Sequence, residues 1–85
     1  MHIQLRFFAS VREALGSSGE SIDVPEHVIT VGDVREFLCE RGGIWAESLA
    51  AKRALRMAYD QVMTDATACI ADGGEVAFFP PVTGG

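Results

Sequence analysis

The chain has no basic tract, no long apolar run and only two cysteines. Its 85 residues carry seven Lys or Arg against twelve Asp or Glu, a formal net charge of −5. Nucleic-acid binding needs clustered cations to neutralise phosphates, so that class of function is set aside, and an anionic membrane surface with it. No apolar segment reaches the length of a transmembrane helix. The opening MHIQLRFFAS lacks the basic start and apolar run of a signal peptide. Cys39 and Cys69 could form one disulfide, but nothing else suggests secretion, and a reducing cytoplasm is the expected setting. Both are read as small buried hydrophobes, with cysteine-based sulfur chemistry as the sharper alternative.

Catalytic signatures are missing too. There is neither a GxxxxGK(S/T) phosphate loop nor a GxGxxG fingerprint. His2 and His27 have no Cys, Asp or Glu at metal-ligand spacing, so no metal site is expected and both read as surface residues. A Ser-His-Asp or Cys-His set cannot be assembled. Asp23, Glu26, Asp65, Asp72 and Glu75 read as a solvated acidic face. A chain with no reactive apparatus of its own fits a carrier on which partner proteins do the chemistry, and no permanently bound cofactor is expected.

What is present lies at the other end. The chain finishes on Gly84-Gly85, after a strand and the stiff step Pro80-Pro81. Two residues without Cβ can take backbone angles closed to others and thread a narrow channel. The prolines fix their own φ and extend the chain. From Pro81 to Gly85 the reach is roughly 16–18 Å, enough to place a terminal carboxyl inside a partner's active site. The division is a domain over 1–79 and a tail over 80–85. A frayed terminus with no role is the plain alternative.

The body reads as α+β. Ile3, Leu5 and Phe7 alternate with polar neighbours, which predicts a strand with one buried face. A short helix is expected over Ser10 to Leu15, then a GSSG loop at 16–19 and a second strand through Ile22 and Val24. Thr30 stands three residues before Asp33 in a capping-box pattern, opening the main helix. Val31, Val34, Phe37 and Leu38 form its apolar stripe, and Gly42-Gly43 is expected to end it. A shorter helix follows over Ile44 to Ala51, with Trp45 read as a cover on the core. Leu55 to Tyr59 reads as a strand, Asp60-Gln61 as a turn, Val62-Met63 as a short strand, Asp72-Gly73-Gly74 as a turn, and Glu75 to Phe79 as the last strand. One main helix across a mixed sheet of four to five strands leaves a sheet face open.

Parity makes a prediction about that face. If Ile3, Leu5, Phe7, Val76 and Phe78 face the helix, Phe8 and Phe79 face away. Two outward phenylalanines on a sheet with no second layer make a patch of the kind that marks a partner surface, unless the short helix and local twist cover them.

Two stretches resemble a known family. FFASVREALG at 7–16 and DGGEVAFFPPVTGG at 72–85 are similar to the small, sulfur-carrying subunit of molybdopterin synthase. The second matches that family's terminal Pro-Pro-Val-Ser/Thr-Gly-Gly block. The departures are Gly74 where the family usually has Asp, Asp60 where it usually has Asn, and a poor match from Trp45 to Leu55. The resemblance implies a ubiquitin-like β-grasp fold. It implies that Gly85, preceded by Gly84, is adenylated from ATP by a ubiquitin-activating-type adenylyltransferase and then converted to a thiocarboxylate by a sulfur donor. It further implies that the tail enters a large catalytic subunit within a heterotetramer. There sulfur passes to cyclic pyranopterin monophosphate, forming the dithiolene of molybdenum cofactor biosynthesis. Phe8, Met63, Phe79, Pro80, Pro81, Val82 and Thr83 are then expected to meet the partner. Arg12 is either a polar contact to it or an ion-pair partner of Glu13 or a neighbour. The alternatives are a sulfur carrier for thiamine or tRNA thiolation, a ubiquitin-like protein modifier, and a plain interaction module.

Overall fold

The computed structural model describes residues 1–81. The elements run β1 (His2–Phe7), α1 (Ala9–Leu15), β2 (Gly19–Asp23), α2 (Val31–Cys39), α3 (Gly43–Leu49), β3 (Arg56–Tyr59), β4 (Val62–Thr64) and β5 (Glu75–Phe79). The strands form one five-stranded sheet in the order β2-β1-β5-β3-β4. The central pair β1 and β5 is parallel and the other pairs are antiparallel. The architecture is the expected α+β, a mixed β-grasp sheet with its helices on one face. The readings made for Val82, Thr83, Gly84 and Gly85 lie outside the described residues.

The core follows the period-two pattern of the sequence. Ile3, Leu5, Phe7, Val76 and Phe78 point inward and are buried against Val31, Val34 and Leu38 of α2 and Leu49 of α3. The Phe7 ring stacks on Phe78 with centroids 6.4 Å apart, and meets Trp45 edge to face at 5.7 Å. Trp45 therefore covers the core, as its large apolar area favours. Each such side chain contributes about 1.5–3 kcal/mol of transfer free energy. Truncating Phe78 to Ala would cost about 3–5 kcal/mol, because the rigid sheet cannot collapse into the void.

The capping box is formed. The Asp33 backbone N–H donates to Thr30 Oγ1 at 3.0 Å, and the Thr30 and Ile29 N–H groups donate to Asp33 Oδ2 at 3.2 and 3.1 Å. These amides, Ile29 first, hold the Asp33 carboxyl below its ordinary value. The far end of α2 differs from the sequence reading. The helix stops at Cys39 and tightens: Arg41 and Gly42 donate to the carbonyls of Leu38 and Cys39, three residues back. Such a tight last turn satisfies carbonyls that an ideal α-helix would leave open. Gly42, at φ 76°, instead opens α3. Arg35 then ties the helices to the chain beyond. Its guanidinium donates to the carbonyls of Leu49, Ala50 and Arg53 at 2.7, 2.6 and 2.8 Å. Partial burial draws its pKa down.

Cys39 is half-buried against the core, but Cys69 is exposed, which corrects the reading of both as buried. Cys69 sits between the inward-facing Ala68 and Ile70 and bridges Thr30 through its backbone, so alternation turns its side chain out. Neither is in a disulfide. Burial pushes the Cys39 thiol up, away from the thiolate form that reactive cysteines need.

Candidate docking face and tail base

The face of the sheet opposite α2 is shaped by its register. Ala58 of β3 lies between Ala77 of β5 and Met63 of β4, and Arg56 lies opposite Phe79. Two alanines in the middle of the rung, only 7% and 5% exposed, make a low floor. Phe79 and Phe8 rise at its end, their centroids 6.3 Å apart and planes at 84°. Met63 stands 58% exposed across the rung, and Val62 beside it is 67% exposed. The result is an apolar trough of about 610 Å³ lined by Phe8, Ala58, Ala77, Phe79, Pro80 and Pro81. It runs to the point where the chain leaves the sheet. The Arg6 guanidinium lies 5.7 Å from the centre of the Phe8 ring, holding one edge of the patch by a cation–π contact.

Local geometry sets the trough's walls. Asp60 and Gln61 both have positive φ, 48° and 68°, the two-residue hairpin turn that matches strand twist. Asp60 Oδ1 accepts the Glu75 N–H at 2.9 Å, and the Asp60 N–H donates to the Glu75 carbonyl at 2.8 Å. The turn is thereby stitched to the start of β5, which fixes Met63 in register. On the other face, the Tyr59 hydroxyl accepts the Ala71 N–H at 2.7 Å and donates to the Ala71 carbonyl at 3.3 Å. Its ring fills the space a side chain at Gly74 would need.

The structure thus brings Phe8, Met63, Phe79, Pro80 and Pro81 to one face, and for Phe8 and Phe79 this is the facing that parity predicts. Phe8 is 42% exposed, so α1 does not cover it. Arg12 is exposed on α1 and makes no ion pair among the described residues, with Glu13 or any other. Sequence reasoning missed Ala58, Ala77 and Gln61 as parts of the trough. The signal for the alanines was available: they occupy outward positions of β3 and β5 where polar residues would be usual. Among the described residues, no group of His, Cys, Asp and Glu is placed to hold a metal ion, and no helix is long and apolar enough to cross a membrane.

A five-stranded mixed sheet with its helices on one face and an apolar open face at the foot of its C-terminal segment defines a ubiquitin-like β-grasp protein. The model of the ThiS family matches residues 5–85, and the chain belongs to that family. It is 37% identical over 83 residues, 98% of this chain and 99% of the relative, to the molybdopterin synthase sulfur carrier subunit of Haemophilus influenzae. Identity and coverage are the same for the Escherichia coli protein of that name. Among solved structures, the small archaeal modifier protein 1 of Haloferax volcanii superposes with a TM-score of 0.74 at 24% identity, over 95% of this chain and 98% of the other. One chain of the complex of subunits 1 and 2 of the molybdopterin-converting factor from Helicobacter pylori superposes at 0.66 and 22% identity, over the whole of both chains. These two likenesses support the fold.

Proposed function

We propose that the chain is the sulfur-carrying subunit of a molybdopterin synthase, and that its working group is the carboxylate of Gly85. The near full-length match to two sulfur carrier subunits carries this reading. The apolar trough at the tail base supports it, because a carrier needs a docking face beside the group it delivers.

The chemistry follows from what a terminal carboxylate can and cannot do. As a free anion it is a poor acyl donor. Adenylation from ATP supplies AMP as a good leaving group, and a sulfur nucleophile from a donor then displaces AMP to leave a thiocarboxylate. Its sulfur is a soft nucleophile suited to attack on cyclic pyranopterin monophosphate. One terminus carries one sulfur, so a dithiolene takes two deliveries. The body contributes docking and aim: Phe8, Phe79 and Met63 seat on the large subunit, and Pro80-Pro81 direct the chain into its site. The chain is then the non-catalytic partner in a two-subunit synthase, assembled as a heterotetramer of two small and two large chains. The setting is cytoplasmic, where the activating enzyme and sulfur donor meet it.

The test has two stages. Incubated with the activating enzyme, ATP and a sulfur source, the chain should gain the mass of one oxygen replaced by sulfur. Mixed with the large subunit and the pterin precursor, the thiolated chain should then yield molybdopterin. A thiolated chain that forms none would place it with the carriers for thiamine or tRNA thiolation. Attachment to protein lysines would place it with the modifiers.

A further inference from the structure

β2 is an edge strand: in the order β2-β1-β5-β3-β4 it pairs with β1 alone. The Val24 N–H donates to the Met1 carbonyl at 2.8 Å, and the Met1 amino group donates to the Val24 carbonyl at 3.0 Å. An antiparallel ladder alternates such bonded pairs with unbonded ones. Ile22 therefore turns its N–H and C=O toward Ile3, and Glu20 turns its own toward Leu5. The N–H and C=O of Ser21 and Asp23 point the other way, off the sheet, and meet no partner among the described residues. Gly19, at the start of the strand, differs: its N–H and its carbonyl both bond Ser17 Oγ, each at 3.2 Å.

Beside that open edge runs a groove of about 410 Å³ between β2 and the end of α2, lined by Ile22, Asp23, Phe37, Glu40 and Arg41. Ile22 and Phe37 are half-buried and form its apolar floor. Its rim is acidic. Glu36 and Glu40 are exposed and make no ion pair among the described residues, whereas Arg41 is already paired with Glu20 and lies over Trp45. Asp23 is exposed and bonds the His2 ring at 2.8 Å. His27, from the loop before α2, borders Asp33, Glu36 and Glu40. The groove lies on the helix side at one edge of the sheet, and the apolar trough lies on the opposite face.

We propose that β2 is a docking site for an extended, basic segment of a partner protein, which adds to the sheet as one more antiparallel strand. Its backbone bonds the outward N–H and C=O groups of Ser21 and Asp23, the source of affinity when a strand is added to a sheet edge. The residue directly opposite Ile22 shares its facing, so an aliphatic side chain there enters the groove against Phe37. Lys or Arg around it meets Asp23, Glu36 and Glu40. Charge on an edge guards against unwanted pairing, and this rim guards against acidic strands. A second copy of the chain is excluded on that ground, because its own edge brings Glu20 and Asp23 to the same carboxylates. The site uses neither the trough nor the tail, so it stays open while they are engaged and does not depend on the role of Gly85.

The test is nuclear magnetic resonance titration of the isotope-labelled full chain with the synthetic peptide acetyl-Lys-Lys-Val-Lys-Val-Lys-Lys-amide. Saturable binding with a Kd below about 1 mM is expected. The shifts should centre on Ser21, Ile22, Asp23, Phe37 and Glu40, and exchange of the Ser21 and Asp23 amide protons should slow. Methylating the peptide's backbone nitrogens removes its ladder donors and keeps its side chains, and should weaken binding at least about tenfold. Replacing its Lys residues with Glu should do the same on the native chain, and Glu36→Lys/Glu40→Lys should reverse the preference. Circular dichroism checks that the reversed chain folds, and the three peptides test the native chain without any variant. Absence of a saturable shift at β2 by about 5 mM peptide overturns the site. So does a methylated peptide that binds as tightly as the parent, or equal binding of the basic and acidic peptides.

Discussion

Phe8 and Phe79 meet edge to face, centroids 6.3 Å apart, on the sheet face that no helix covers. One comes from the residue between β1 and α1, the other from the last residue of β5, so the pair ties the start of the domain to the root of the tail. Such a pair is worth about 0.5–1.5 kcal/mol beyond its buried area. Its exposure in the free chain gives it more to contribute in a complex. Phe79→Asp should weaken binding to the large subunit by at least about 2 kcal/mol, roughly 30-fold, as loss of an aromatic anchor does. Calorimetric titration reads the affinity and thermal unfolding reads the fold. Unchanged affinity, or an unfolded variant, would remove this face from the docking surface.

Tyr59 and Gly74 form a second coupled pair. The ring occupies the place of a side chain at 74, and its hydroxyl holds both polar groups of Ala71. Gly74→Ala should cost about 1–3 kcal/mol, the usual penalty of overpacking. In a Tyr59→Ala background the same substitution should cost almost nothing more, a coupling that urea unfolding of the four proteins measures. Additive losses would show that the glycine is kept for another reason. The pair also accounts for the departure at this position: with a tyrosine at 59, an aspartate at 74 has no room.

The Thr30–Asp33 box gives a pH dependence. The folded carboxyl lies below its ordinary 3.8 because the Ile29 N–H, and then Thr30, bond to its charged form. The folded state thus binds this proton less tightly than the unfolded chain. The stabilisation is fully present above the unfolded value and disappears as pH falls through the folded one. Thr30→Ala should lower stability at neutral pH by about 1 kcal/mol. The gap between native and Asp33→Asn proteins should be open at neutral pH and close in acid below the ordinary carboxylate range. Thermal unfolding at both pH values checks this, and a gap independent of pH would contradict it.

Much of this was legible in the sequence because alternation reports facing directly. The parity of Ile3, Leu5 and Phe7, and of Val76 and Phe78, is enough to put Phe8 and Phe79 on the open face. The Thr30–Asp33 spacing located the start of α2. What stayed hidden depends on partners far along the chain. Nothing near Arg35 announces that it will bond carbonyls up to 18 residues away. The end of α2 was misplaced because a glycine pair reads as a stop, whereas here Gly42 begins the next helix. Ala58 and Ala77 looked neutral until register set them side by side under Met63 and Phe79.

The measurement that bears most directly on the role of Gly85 is reconstituted molybdopterin synthesis with a chain whose terminal carboxyl is made as an amide. The amide chain should fold with the native melting temperature and bind the large subunit with native affinity, yet produce no molybdopterin, while the native chain does. Molybdopterin formed at the native rate from the amide chain would show that the sulfur travels by another route.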